Sequence, residues 1–78
     1  MIDMRPLYEI ARDVRKDWKN VSAYAAPYLQ AMFCLDSISE NYGLDSGRSI
    51  VSYFLANAGS WRGETAKRIK AELKAMLK

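Results

Sequence analysis

Residues 61–78 read WRGETAKRIKAELKAMLK, and this stretch has the charge and hydropathy pattern of an amphipathic helix. At about 100° per residue, its four lysines fall together on one side of the helix. These lysines are Lys67, Lys70, Lys74 and Lys78. The opposite, mostly apolar side consists of Trp61, Thr65, Ile69, Leu73, Met76 and Leu77. Such a helix needs a core to cover its apolar side, so the stretch predicts a helical fold.

Three more helices are predicted upstream of this stretch. The second carries its main apolar stripe on Tyr28, Ala31, Met32, Leu35, Ile38 and Tyr42. Pro27 suits the first turn of that helix, and Gly43 can end it in the left-handed conformation. The sequence therefore predicts a single all-α domain over residues 1–78, a compact bundle of four helices. Their predicted bounds are about 4–19, 24–42, 46–58 and 60–77.

The composition argues against an enzyme. The chain has no histidine and a single cysteine, Cys34. It therefore lacks the usual general acid–base, a Ser–His or Cys–His nucleophile pair and a multi-cysteine zinc site. We expect no catalytic residue, metal or cofactor, and a reducing, cytoplasmic setting. No apolar run approaches the roughly 18 residues of a membrane span, so no membrane partner is expected.

The net charge of +3 is unevenly distributed along the chain. Residues 61–78 hold six bases and two acids, whereas residues 21–60 hold one base and three acids. The candidate residues for contact with nucleic acid or an acidic partner are Arg62, Lys67, Lys70, Lys74 and Lys78. Two interpretations stay open, a solvated helix face or a surface that binds phosphates. Exposed Trp18 or Trp61 nearby would favour nucleic acid, because aromatic rings stack on single-stranded bases.

A second candidate surface lies on the predicted helix 24–42, away from its main stripe. Its residues are Leu29, Phe33, Asp36 and Glu40. An apolar pair edged by acids is typical of protein–protein contact, with another protein or with a second copy of the chain. The alternative is that the first or fourth helix covers the apolar pair.

The segment SIVSYFLANAGSWRGETAKRIKAELKAML (49–77), with WKN (18–20) and APYLQAM (26–32) before it, resembles a group of known sequences. They are short uncharacterised all-helical proteins encoded on phages and conjugative elements of gut bacteria. The resemblance implies a small accessory protein that works inside a bacterial cell by binding. Inhibition of host defence proteins is one action of this kind that it implies. It supplies no site residues. We therefore expect a non-enzymatic protein of a bacterial mobile element that acts by protein–protein contact. The alternative is a non-specific nucleic-acid-binding protein that uses the basic C-terminal helix.

Overall fold

The computed structural model describes residues 5–78, which form four helices and a two-stranded sheet. The helices are α1 (Leu7–Asp17), α2 (Ala26–Met32), α3 (Gly47–Ala56) and α4 (Glu64–Leu77). The strands are β1 (Asn41–Tyr42) and β2 (Asp45–Ser46). Four helices were predicted and are confirmed, but the fold is mostly helical rather than purely all-α. Residue 4, where the first helix was predicted to begin, lies outside the described residues.

The largest error in the predicted bounds concerns the second helix, which ends at Met32 instead of continuing to residue 42. Beyond Met32, backbone carbonyls accept hydrogen bonds from the first amides of α1. The amides of Leu7 and Tyr8 donate to the carbonyls of Asp36 (3.1 Å) and Leu35 (3.0 Å). These amides belong to the first turn of α1, which has no side-chain cap, so they need acceptors from elsewhere in the chain. The segment after α2 supplies those acceptors.

Residues 41–46 form a β-hairpin where the sequence predicted the end of a helix. Its antiparallel register pairs Asn41 with Ser46 and Tyr42 with Asp45. Gly43 has a φ of 63°, so the predicted left-handed conformation is present, but in the hairpin turn rather than at a helix end. The turn therefore consists of Gly43 and Leu44.

The hairpin leads directly into α3, and two contacts fix this junction. The Ser46 hydroxyl oxygen caps α3 by accepting from the Ser49 amide at 3.1 Å. The Gly47 amide donates to the Glu40 carbonyl at 2.6 Å. A Cβ on Gly47 would lie 2.6 Å from the Ile38 carbonyl oxygen, so only glycine fits here without movement of the loop.

Helix α4 begins at Glu64, later than predicted, because Gly63 has a φ of 116° and separates it from Trp61. Trp61 thus lies before the helix, and its indole is buried in the core. It stacks on Trp18 with ring centroids 5.7 Å apart, and Phe54 meets it edge-on at 6.5 Å. The other large buried side chains around this cluster include Leu7, Ile10, Leu29, Met32, Ile69 and Leu73. No helix within residues 5–78 has the length and apolar character needed to cross a membrane.

Candidate contact surfaces

The structure separates the four residues that were predicted to form one contact surface. Leu29 is 0% exposed and belongs to the core. Phe33 is half-buried, and the guanidinium of Arg15 lies 5.5 Å from its ring centroid. Asp36 and Glu40 are exposed but lie beyond the end of α2. The prediction that these residues share one helix face is therefore wrong, and Leu29 cannot reach a partner in the folded chain.

Glu40 has a local structural role that its sequence position did not reveal. Its Oε1 accepts hydrogen bonds from the amides of Asp36 (2.7 Å) and Ser37 (3.4 Å). The carboxylate therefore closes the turn that follows α2 and orders the backbone before the hairpin. Within the described part of the chain, no three carboxylate, thiol or imidazole groups come together as a metal-ligand set.

An apolar pair edged by acids does occur, but on the hairpin rather than on α2. Tyr42 is 43% exposed and Leu44, at the turn, is fully exposed. The exposed acids Asp36, Glu40 and Asp45 lie in the same segment, and residues 36–47 contain no base. We call Tyr42 and Leu44, with these three acids, the hairpin surface. The sequence signal that could have indicated it is the turn-forming composition of Asn41, Gly43 and Asp45.

The basic residues predicted for α4 do not form a uniform stripe. Those that are exposed are Arg62, Lys67, Lys74 and Lys78. Lys70 is half-buried, and its Nζ donates to the Trp61 carbonyl at 2.6 Å. The same Nζ lies 5.9 Å from the centroid of the Trp61 ring, at the outer range of a cation–π contact. Lys70 is thus held against the core while the others extend into solvent.

Burial lowers the pKa of Lys70, and the positive charges of Lys74 and Arg62 lower it further. The folded chain therefore binds a proton at Lys70 less readily than the unfolded chain does. At neutral pH the charge on Lys70 opposes folding, and this opposition is lost as the pH rises from the lowered pKa of the folded chain to the ordinary pKa of the unfolded chain.

A single arginine engages three of the acids on α1 and α4. Arg5 binds the Glu72 carboxylate through Nε (2.9 Å) and a terminal nitrogen (2.8 Å), and it binds Asp13 at 2.6 Å. Glu9 lies 3.5 Å from the same guanidinium. These hydrogen bonds and charges raise the pKa of Arg5 above its usual range. Among residues 5–78, no other lysine or arginine lies within 4.0 Å of a carboxylate oxygen, so none of the other basic side chains forms an ion pair there.

We expect Arg5→Gln to lower the free energy of unfolding by about 1–2 kcal/mol, because it removes a bidentate contact between the start of α1 and α4. Urea denaturation followed by circular dichroism measures the loss. Lys67→Gln removes the same charge at an exposed site without an ion pair in the described chain, and should change stability by less than about 0.5 kcal/mol. Equal losses in the two variants would contradict a structural role for the Arg5 network.

Both tryptophans are unavailable for stacking on nucleic-acid bases. Trp18 is 6% and Trp61 2% exposed, and the indole N–H of Trp61 donates to Asp17 at 2.8 Å. Among residues 5–78, the exposed large apolar side chains are instead Tyr24, Tyr42, Leu44 and Tyr53, none of which is on α4. The feature that would have favoured single-stranded nucleic acid is therefore not present on the basic helix.

The described chain thus presents two surfaces of opposite charge. The hairpin surface combines acids with exposed apolar groups, and the outer face of α4 combines lysines with the small residues Ala71 and Ala75. The first is suited to an apolar contact with electrostatic steering, and the second to binding anions. Comparisons with protein-family models, with curated proteins and with solved structures find no match for this chain.

Proposed function

We propose that this chain is a non-enzymatic binding protein that contacts another protein through the hairpin surface. The observation that carries the proposal is the complete exposure of Leu44 at the turn, beside Tyr42 and between acidic residues. An exposed leucine alone is common on protein surfaces. Here two large apolar side chains outside the core, one in β1 and one in the turn, lie on the same hairpin, which favours a role in contact.

The base of the hairpin is held in place, and this supports a binding role. The carbonyl of Glu40 accepts from the Gly47 amide, and the carbonyl of Asp36 accepts from the first residue of α1. Ile38, between these two points, packs against the core. A partner would therefore meet a preformed turn and lose little affinity to ordering it.

The chemistry of the hairpin surface indicates the kind of partner. Leu44 and Tyr42 suit a small apolar pocket, since buried apolar and aromatic anchors supply most of the energy of an interface. Asp45, Glu40 and Asp36 would steer the hairpin towards basic side chains at the rim of that pocket. We therefore expect a partner with a basic-rimmed apolar pocket.

The sequence also supports the non-enzymatic part of the proposal, because the chain has no histidine and one cysteine for acid–base or nucleophilic chemistry. The proposed setting is the interior of a bacterial cell that carries a mobile element. Its support is the resemblance of residues 49–77 to the phage and conjugative-element proteins described above.

Co-purification from bacterial cells tests the contact. Leu44→Asp should reduce the recovered partner by about 30-fold or more, the effect of removing an anchor worth about 2 kcal/mol. The fold should be unchanged, because Leu44 makes no core contact. Gln30→Asp adds the same charge at an exposed position of α2 and is the matched control. Full recovery with Leu44→Asp would exclude the hairpin surface.

The second candidate function is non-specific nucleic-acid binding through α4. It is favoured by the lysines and the arginine of that helix, none of which forms an ion pair within residues 5–78. Because α4 presents no exposed aromatic ring, the contacts would be to phosphates, and duplex and single strands should bind with similar affinity. Fluorescence anisotropy with labelled duplex and single strands, titrated across salt, measures this affinity. No binding at low salt would remove the second candidate.

A further inference from the structure

Three of the basic side chains form a compact cluster rather than part of a stripe. Lys70 and Lys74 are one helical turn apart on α4, a rise of about 6 Å. Arg62 lies in the segment that leads into α4, next to Trp61, whose carbonyl holds the Lys70 ammonium at 2.6 Å. Burial lowers the pKa of Lys70, and the positive charges of Lys74 and Arg62 act in the same direction. The hydrogen bond from Lys70 to the Trp61 carbonyl therefore places the Lys70 ammonium beside the backbone of Arg62 and one helical turn from Lys74.

These three cations have no acidic partner in the described part of the chain. No carboxylate of residues 5–78 lies within ion-pair distance of any of the three cations. Glu72, the only acid in the middle of α4, is bound by Arg5. Lys70 cannot easily move away, because it is tied to the Trp61 carbonyl and partly desolvated. A bound anion would offset the three positive charges.

We infer that Arg62, Lys70 and Lys74 form a binding site for one phosphate group, either free or within a nucleic-acid backbone. The Lys70 ammonium has three N–H donors and uses one on the Trp61 carbonyl, so two remain for phosphate oxygens. The Arg62 guanidinium can contribute a bidentate contact, and Lys74 a third positive charge. The site does not depend on the hairpin surface, and it exists whether or not α4 binds nucleic acid.

The test measures the thermal stability of the full chain in phosphate and in chloride at equal ionic strength. Phosphate at about ten times its Kd stabilises the folded chain by about 1.4 kcal/mol and should raise the Tm by about 6–11 °C above the chloride value. The NMR signal of the Lys70 Cε should shift with phosphate and not with chloride. Arg62→Gln and Lys74→Gln should each weaken phosphate binding about fivefold, as expected for the loss of one partly exposed charged contact. Lys67→Gln, on α4, and Lys78→Gln, just after it, remove the same charge outside the cluster and should leave the affinity within about twofold.

A duplex DNA oligonucleotide in a parallel titration identifies the source of the phosphate. Binding of phosphate, of duplex or of both, with the cluster variants weaker than the two controls, supports the site. Binding that weakens equally in all four variants would overturn it and leave only the diffuse charge of α4, with the second candidate function intact. Identical behaviour in phosphate and chloride, together with no duplex binding, would overturn both the site and the second candidate function.

Discussion

Replacing Trp61 by alanine is expected to lower the free energy of unfolding by about 3–5 kcal/mol, the range for a buried tryptophan. Trp61 is 2% exposed, stacks on Trp18 and contacts Phe54. Its indole N–H also donates to Asp17, which links the end of α1 to the segment before α4. Single domains are stable by only about 5–15 kcal/mol in total, and one of 78 residues belongs near the lower end. Much of the Trp61→Ala population should therefore be unfolded at 37 °C.

Thermal and urea denaturation followed by circular dichroism measure this effect. Tyr24→Ala is the control, because Tyr24 is 78% exposed and its removal should cost less than about 0.5 kcal/mol. Trp61→Phe keeps a buried ring but loses the hydrogen bond to Asp17. Its loss of unfolding free energy should therefore lie between those of Trp61→Ala and Tyr24→Ala. If the free energy of unfolding of Trp61→Ala were within about 1 kcal/mol of the wild-type value, Trp61 would not have this role in the core.

Replacing Gly47 by alanine is the second large expected effect, with a loss of about 1–3 kcal/mol from overpacking. The new Cβ would lie 2.6 Å from the Ile38 carbonyl oxygen and 3.0 Å from that of Glu40, both backbone atoms. Since backbone cannot rotate away as a side chain does, the whole loop before the hairpin must shift. Gly47→Ala should therefore also weaken any contact that the hairpin surface makes.

Gly59→Ala is the matched control for this change. A Cβ on Gly59 would meet no atom within 4 Å, and Gly59 does not have a positive φ. That variant should be neutral or more stable by up to about 1 kcal/mol, because alanine reduces the entropy of the unfolded chain. Equal stabilities for Gly47→Ala and Gly59→Ala would contradict the close approach of Ile38 to the start of α3.

The helices with strong amphipathic patterns were predictable from the sequence, whereas the end of α2 was not. Leu35 and Ile38 continue the apolar spacing of α2, and both do face the core, but from turns rather than from a helix. Beyond the end of the helix, the carbonyls of Leu35 and Asp36 accept from the amides of Tyr8 and Leu7. These bonds join residues far apart in sequence, which a local periodicity cannot detect.

The candidate contact surfaces also depend on structure that local sequence patterns do not reveal. Leu44 was not indicated, because two-residue strands are too short to show the alternation that marks a β-hairpin. Glu72 lies four residues after Arg68, a spacing that favours a pair within the helix. Its carboxylate instead binds Arg5, 67 positions away. The sequence identifies which side chains carry charge, but long-range packing decides which charges are compensated.

The most direct test of the proposed function is photo-crosslinking in bacterial cells, with a benzoylphenylalanine in place of Leu44. The same replacement of Gln30, also exposed but on α2, serves as the control. We expect a discrete cross-linked species at position 44 that is weak or missing at position 30, and that is lost when Asp45→Lys is added. A product of twice the chain mass would identify the partner as a second copy. No product at position 44, or the same products at both positions, would contradict the hairpin surface as the site of contact.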